Sequence, residues 1–255
     1  MIVAIVGYGF VGKATEYFLT THVEDKPTIL IHDPALGEKI TDWNKIDYAF
    51  ICVPTPLKGS QRVRRRKLDT DIIDEVCHKI QRKVSRIVIR STIGPDQVPK
   101  YTRNYGAVIW PEFLREKHWK VDVDNSELPL VVGGYQMEHF INRIKCHKKI
   151  IQVKPEEAAM IKIARNTALA IKVDLANEFK NICDGWDMDY NVIAEFLSND
   201  PNLGKTHWAV PGPDGKVGFG GTCLPKDLTH TSSLCYNENN IMKVAADANE
   251  KRRKQ

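Results

Sequence analysis

The sequence predicts an α/β protein: a doubly wound, mostly parallel sheet over residues 1–154, then a long helix and a smaller helical domain over residues 155–255. Three observations carry this. Short apolar, β-branched runs alternate with helical segments through the first part, as in parallel sheets covered on both faces. The first run, Ile2 to Val6, opens directly into Gly7-Tyr8-Gly9-Phe10-Val11-Gly12 and a helical segment from Lys13. Finally, neither proline nor glycine interrupts the stretch from Glu156 to about Asp184.

Strand, glycine turn and helix in that order form a Rossmann-type fingerprint. Gly7, Gly9 and Gly12 make the tight turn, admit a pyrophosphate and let helix approach strand, and Phe10 and Val11 between them count with the glycines as cofactor-binding residues. Thr28 to His32 reads as the second strand and Asp33 stands at its end. An acid there accepts from a ribose 2′-hydroxyl and repels a 2′-phosphate, which favours NAD over NADP. A glycine turn without a ligand is the alternative reading of the same residues.

Further strands are expected at Tyr48 to Val53, Arg86 to Arg90, Ala107 to Ile109 and Leu130 to Val132. In open α/β sheets, ligands sit beyond the carboxyl ends of strands. Three polar clusters occupy those ends: Pro54-Thr55-Pro56, Ser91-Thr92, and Pro111-Glu112-Phe113-Leu114-Arg115-Glu116. They are expected to rim one cleft. The basic run from Arg62 to Lys67 is either a solvated loop or an anion-binding site near that cleft.

In the long segment Met160, Ala164, Ala168, Ile171, Leu175, Phe179 and Ile182 follow helical spacing. Such a helix would run to roughly 40 Å, too long for one small domain, so it is expected to link the two domains and to pair with a second copy in a homodimer. Lys162 and Asn166 share a face of it. They could donate to a developing oxyanion or simply face solvent. A short helix is expected from Asp187 to Leu197. Gly218-Phe219-Gly220-Gly221-Thr222-Cys223-Leu224-Pro225-Lys226-Asp227 then delivers one cysteine from a glycine-rich bend, with opposite charges following it. Cys223 reads as a nucleophile, because a thiol near a cation is more readily the reactive thiolate; a buried cysteine in a connection is the alternative.

The runs GYGFVG, ICVPTP, RSTIGP, WPEFLRE and GFGGTCLPKD, in this order, resemble the UDP-glucose/GDP-mannose dehydrogenase family over nearly the whole chain. That resemblance implies oxidation of a sugar hydroxymethyl group to a carboxylate with two NAD, through a thioester on Cys223. It implies Lys162 and Asn166 at the oxyanion, Glu112 for acid/base work, and Thr92 and Asp227 positioning a water. It also implies Thr55, Thr92 and Glu116 near the dinucleotide, and Glu112, Phe113, Leu114 and Gly220 at the sugar. A two-domain hydroxyacid dehydrogenase making a single hydride transfer, which has no need of Cys223, and a non-catalytic NAD-binding remnant are the alternatives. Three departures stand out: the basic run, Lys117-His118-Trp119 after the PEFL motif, and Asn202 where the family usually carries an arginine. The family also continues into a nucleotide-binding domain that this sequence does not contain, so a short form is expected, with a separate chain one source of that domain.

Composition narrows the field. Hydrophobic residues at 42% and charged residues at 27% suit a globular protein rather than a disordered one. No apolar run approaches the roughly 20 residues of a membrane span, and no cleavable leader opens the chain, so a cytoplasmic protein is expected. The net charge of +5 suits an anionic ligand without indicating nucleic acid. The six cysteines show no C-x-x-C spacing, so no metal site and no disulfide framework are expected.

Overall fold

The fold comes from a computed structural model, and the structure describes residues 1–58 and 66–254. The strands are β1 (Ile2–Val6), β2 (Thr28–His32), β3 (Ile46–Ile51), β4 (Leu57–Lys58), β5 (Lys67–Leu68), β6 (Val84–Ile89), β7 (Val108–Ile109), β8 (Leu130–Gly133) and β9 (Ile150–Val153). The helices are α1 (Phe10–Thr21), α2 (Asp71–Ile80), α3 (Val98–Tyr105), α4 (Trp119–Asp124), α5 (Glu138–Ile141), α6 (Pro155–Gly185), α7 (Tyr190–Asn199), α8 (Leu224–Leu234) and α9 (Ile241–Arg252). The chain divides into two compact units, Met1–Pro56 with Asp69–Lys162, and Leu57–Leu68 with Ile163–Gln255.

The first unit is a seven-stranded sheet in the order β2-β1-β3-β6-β7-β8-β9. Every pair is parallel except β7 with β8. Successive side chains of a strand point to opposite faces, so a sheet covered on both sides buries every position. That is why the strands read as unbroken apolar runs. Ala4, Ala49, Ile51 and Ile89 pack toward Ile73 and Cys77 of α2, Tyr101 of α3 and Ala158 of α6. Their neighbours Val3, Ile5, Phe50 and Val88 pack on the other face against Ala14 and Leu19 of α1 and Phe140 of α5.

Strand order reverses between β1 and β3, and the glycine turn leaves the carboxyl end of β1 at that reversal. The edge strand β9 was not foreseen. It is half-exposed between Lys148-Lys149 and Lys154, so it never shows a long apolar run.

In the second unit, Ala170 and Val173 of α6 pack with Phe219, Leu228 of α8 and Ala245 of α9. Farther along α6, Ala176 and Cys183 pack with Tyr190 of α7 and Trp208. The antiparallel β4–β5 pair also belongs to this unit, with the Leu68 amide 3.3 Å from His230 Nδ1 on α8. The buried face of α6 is not the apolar stripe of the sequence. Met160, Leu175 and Ile182 of that stripe are exposed, together with Trp186, Val192 and Phe196 nearby in the chain. Among the described residues, no helix is long and apolar enough to cross a membrane.

Candidate functional site

Two clusters of the first unit hold sequence-predicted residues. The first is the glycine turn. Gly7 has φ +86°, and a Cβ on it would stand 2.8 Å from the Cys52 carbonyl oxygen; a Cβ on Gly12 would stand 2.2 Å from the Gly7 carbonyl oxygen. Both glycines are therefore required by backbone approach. Gly9 is different: nothing lies within 4 Å of the Cβ position, so open space faces the N-terminus of α1. No side chain caps that terminus, which leaves its first N–H groups for an anion.

Asp33 closes the turn from below. Its Oδ2 accepts from the Tyr8 amide at 2.7 Å and its Oδ1 from the Ala35 amide at 3.0 Å. Each oxygen retains capacity for a second donor. An open glycine, an uncapped helix and a carboxylate with spare acceptors fit a dinucleotide. Gly7, Gly9, Phe10, Val11, Gly12 and Asp33 would hold it.

The second cluster lies in the loops after β3, β6 and β7. Thr55 is buried and donates to the Thr92 carbonyl at 2.8 Å, while Ser91 donates to the Val53 carbonyl at 2.7 Å, so the first two loops are tied together. Glu112 is 6% exposed. One of its oxygens accepts from the Leu114 amide, and the other lies 3.9 Å from Lys162 Nζ. The same ammonium stands 5.6 Å from the centroid of Phe113. Arg115 anchors this loop to Asp122, 2.6 Å between Nη2 and Oδ1. Burial raises the Asp122 carboxyl, but the hydrogen bonds from Arg115 outweigh it and hold it below the usual value. Glu116 sits apart, exposed on a short turn.

The second unit brings Asn166, Lys226 and Asp227 together. Asp227 is fully buried; its Oδ2 accepts from Asn166 Nδ2 at 2.6 Å and its Oδ1 from Lys226 Nζ at 2.7 Å. Thr231 donates to the Asp227 carbonyl and accepts from Thr167, which ties α8 to α6. Cys223 is the residue that opens α8, half-buried, with Thr222 Oγ1 3.6 Å from its sulfur.

Lys162 and Asn166 are each 4% exposed, which removes the solvent-facing alternative for them. Cys52 and Cys77 make a useful contrast to Cys223. Burial pushes their thiols up to about 11 and about 12, so they are structural and inert near neutrality. Of the basic run, Arg62 to Arg65 lie outside the described residues; Lys67 is in β5.

Sequence reading passed over Asn249 of the last helix and Arg253 just after it, which touch the cysteine loop. Asn249 pairs with both backbone groups of Phe219, and a Cβ on Gly220 would meet the Arg253 guanidinium at 2.6 Å. No local motif marks such residues, since they act on a segment some thirty positions away.

A doubly wound α/β unit with a dinucleotide-type glycine turn, followed by a helical unit with a glycine-rich cysteine bend, defines the class of this chain. Residues 156–251 match the central domain of the UDP-glucose/GDP-mannose dehydrogenase family, which supports membership of that family. GDP-mannose 6-dehydrogenase of Pseudomonas aeruginosa is 31% identical over 218 residues, covering 74% of this chain and 47% of its own length. UDP-glucose 6-dehydrogenase of Campylobacter jejuni is 26% identical, covering 100% of this chain and 73% of its own length. A solved UDP-glucose dehydrogenase from Pyrobaculum islandicum shares the fold, with a TM-score of 0.78 at 18% identity over 99% of this chain and 67% of that one. The chain spans about half the length of several curated relatives it matches, such as the 47% and 52% of the Pseudomonas aeruginosa enzyme and Bacillus subtilis TuaD.

Proposed function

We propose that the chain carries the NAD-binding and cysteine-bearing parts of a nucleotide-sugar dehydrogenase that oxidises a sugar hydroxymethyl group to a carboxylate. The observation that carries this is the half-buried Cys223 at the head of α8, one helical turn before an Asp227 that holds Asn166, within the region matching the family's central domain. NAD, when bound, accepts a hydride in each of the two oxidations.

Lys162 and Asn166 lie one turn apart on α6 and stabilise the substrate oxygen as it loses its proton and the carbon bearing it loses a hydride. The resulting aldehyde is attacked by the Cys223 thiolate; loss of the second hydride converts the thiohemiacetal to a thioester, and water releases the carboxylate and restores the thiol. Glu112 serves as acid and base at hydrolysis, with Thr92 orienting the water. Asp227 acts through Asn166 and Lys226, which it holds from a fully buried position. Phe113 and Leu114 contact the sugar, with Gly220 doing so through its backbone because the Arg253 guanidinium fills its side-chain position, while Thr55, Thr92 and Glu116 contact the dinucleotide.

The exposed Leu175 and Ile182 of α6, with exposed Trp186 and Phe196 following in the chain, support a homodimer through the long helix. Nucleotide recognition is assigned to a separate nucleotide-binding domain, on a surface outside these 255 residues, and the enzyme to the cytoplasm. The test is incubation with NAD and a panel of UDP- and GDP-sugars while NADH formation is followed by its absorbance. Production of two NADH per carboxylate supports the proposal; one NADH with an aldehyde or ketone product overturns it in favour of a single hydride transfer.

A further inference from the structure

The cysteine motif owes two of its three glycines to the last helix. Gly218 has φ +75°, and a Cβ on it would lie 2.4 Å from Asn249 Oδ1. Gly220 is covered by the Arg253 guanidinium, with three of its atoms within 2.8 Å of the Cβ position. Only Gly221, at φ +76°, has nothing within 4 Å.

The contacts that fill these spaces are specific. Asn249 is 7% exposed and uses both ends of its amide on one residue: Oδ1 accepts from the Phe219 amide at 2.7 Å and Nδ2 donates to the Phe219 carbonyl at 2.9 Å. From the other side, Asn177 of α6 accepts from the Gly218 amide at 2.9 Å while its own Nδ2 donates to the Val173 carbonyl. Arg253, one turn after Asn249, reaches past Gly220 to Asp214 at 2.8 Å. That hydrogen bond holds the Asp214 carboxyl below its usual value. The Phe219 ring is buried with Leu228 and Ala245, so the backbone grip and the apolar anchor act on the same residue.

We infer that Asn249 is a positioning residue for Cys223: α9 acts as a clamp that fixes Gly218 to Gly220, and thereby the direction from which the chain enters α8 and presents the thiol. The inference rests on the reading of Cys223 as the nucleophile. A side-chain amide that satisfies both backbone groups of one loop residue replaces the pairing a neighbouring strand would give, and it leaves that residue a single orientation. Four positions later the chain reaches Cys223. A loop freed at Phe219 exposes the sulfur more often but in the attack geometry less often, so positioning predicts opposite signs for thiol access and turnover.

The experiment compares Asn249→Asp, which keeps the shape and the acceptor but loses the donor, and Asn249→Ala with the parent chain. Iodoacetamide labelling of native protein is followed by peptide mass, with half-buried Cys235 at the end of α8 as internal reference. The expected result is a rise of roughly threefold to tenfold in the Cys223-to-Cys235 labelling ratio in both variants, with faster deuterium exchange at the Gly218 and Phe219 amides and slower turnover.

A ratio unchanged in both variants overturns the clamp. So does an equal acceleration at both cysteines in the near-isosteric Asn249→Asp, which would mean that α9 merely supports the fold. The underlying reading fails separately. If Cys223→Ser leaves carboxylate formation intact while the labelling ratio still responds to Asn249, the clamp stands and the nucleophile assignment falls.

Discussion

Replacing Asp33 perturbs two things at once, and the structure allows them to be separated. The carboxylate receives the Tyr8 amide at 2.7 Å and the Ala35 amide at 3.0 Å, so Asp33→Ala removes the fastening of the glycine turn together with the acceptor for a ribose hydroxyl. Hydrogen bonds to charged groups contribute about 1.5 to 3 kcal/mol, and the half-buried position of Asp33 argues for the lower end. Loss of the ribose contact should then weaken NAD by about tenfold. Removing the charge also removes repulsion of a 2′-phosphate, worth about another tenfold at the dielectric of a protein surface. The ratio of the NADP to the NAD dissociation constant should therefore fall by about a hundredfold in Asp33→Ala, with Tm lowered by roughly 3 to 8 °C from the loosened turn.

Asp33→Asn isolates the electrostatic part. Its single oxygen can still accept from Tyr8 while the bond from the Ala35 amide is lost, so Tm should fall less than in Asp33→Ala while the NADP-to-NAD ratio falls. Isothermal titration of both dinucleotides, with calorimetric melting, gives all four quantities. An NADP-to-NAD ratio unchanged in both variants would refute the assignment of Asp33 to the ribose.

Other expectations follow from the same distances. Gly12→Ala places a Cβ 2.2 Å from a backbone oxygen and should cost about 1 to 3 kcal/mol or more in a melt. Gly9→Ala meets nothing within 4 Å and should melt normally yet lose NAD; normal binding by Gly9→Ala would remove the turn from the dinucleotide site. Lys162→Met should lower kcat by about a hundredfold to a thousandfold with little change in NAD affinity, measured by steady-state kinetics and titration; a change confined to KM would contradict the oxyanion role. In native protein at pH 8, iodoacetamide should label Cys223 and spare Cys52 and Cys77, whose buried thiols are pushed up to about 11 and about 12 and ionise only as the pH rises through those values. Early labelling of either would contradict their burial.

Much of the first unit was legible because its signals are local. The β2 range, the turn before α1 and the position of Asp33 follow from the residues in sequence. The long helix was equally plain, since nothing breaks it between Pro155 and Gly185. Which of its faces is buried was not plain. Lys162, Asn166, Thr167 and Asn177 are polar and buried because partners distant in sequence satisfy Lys162, Asn166, Thr167 and the Asn177 side-chain oxygen: Glu112, Asp227, Thr231 and the Gly218 amide. Apolar spacing marks Met160, Leu175 and Ile182 instead, and these are exposed. The glycines of the cysteine motif suggested close approach by a ligand. At Gly218 and Gly220 the approaching groups are Asn249 and Arg253, which no spacing rule connects to them.

The central claim is that Cys223 carries the substrate as a thioester. The most direct measurement is intact-protein mass after acid quenching of the chain incubated with NAD and UDP-glucose or GDP-mannose, with peptide mapping of any adduct. The account predicts an acyl adduct on Cys223 that decays to carboxylate, and neither adduct nor carboxylate with Cys223→Ser. Carboxylate formed by Cys223→Ser at the parent rate would contradict it.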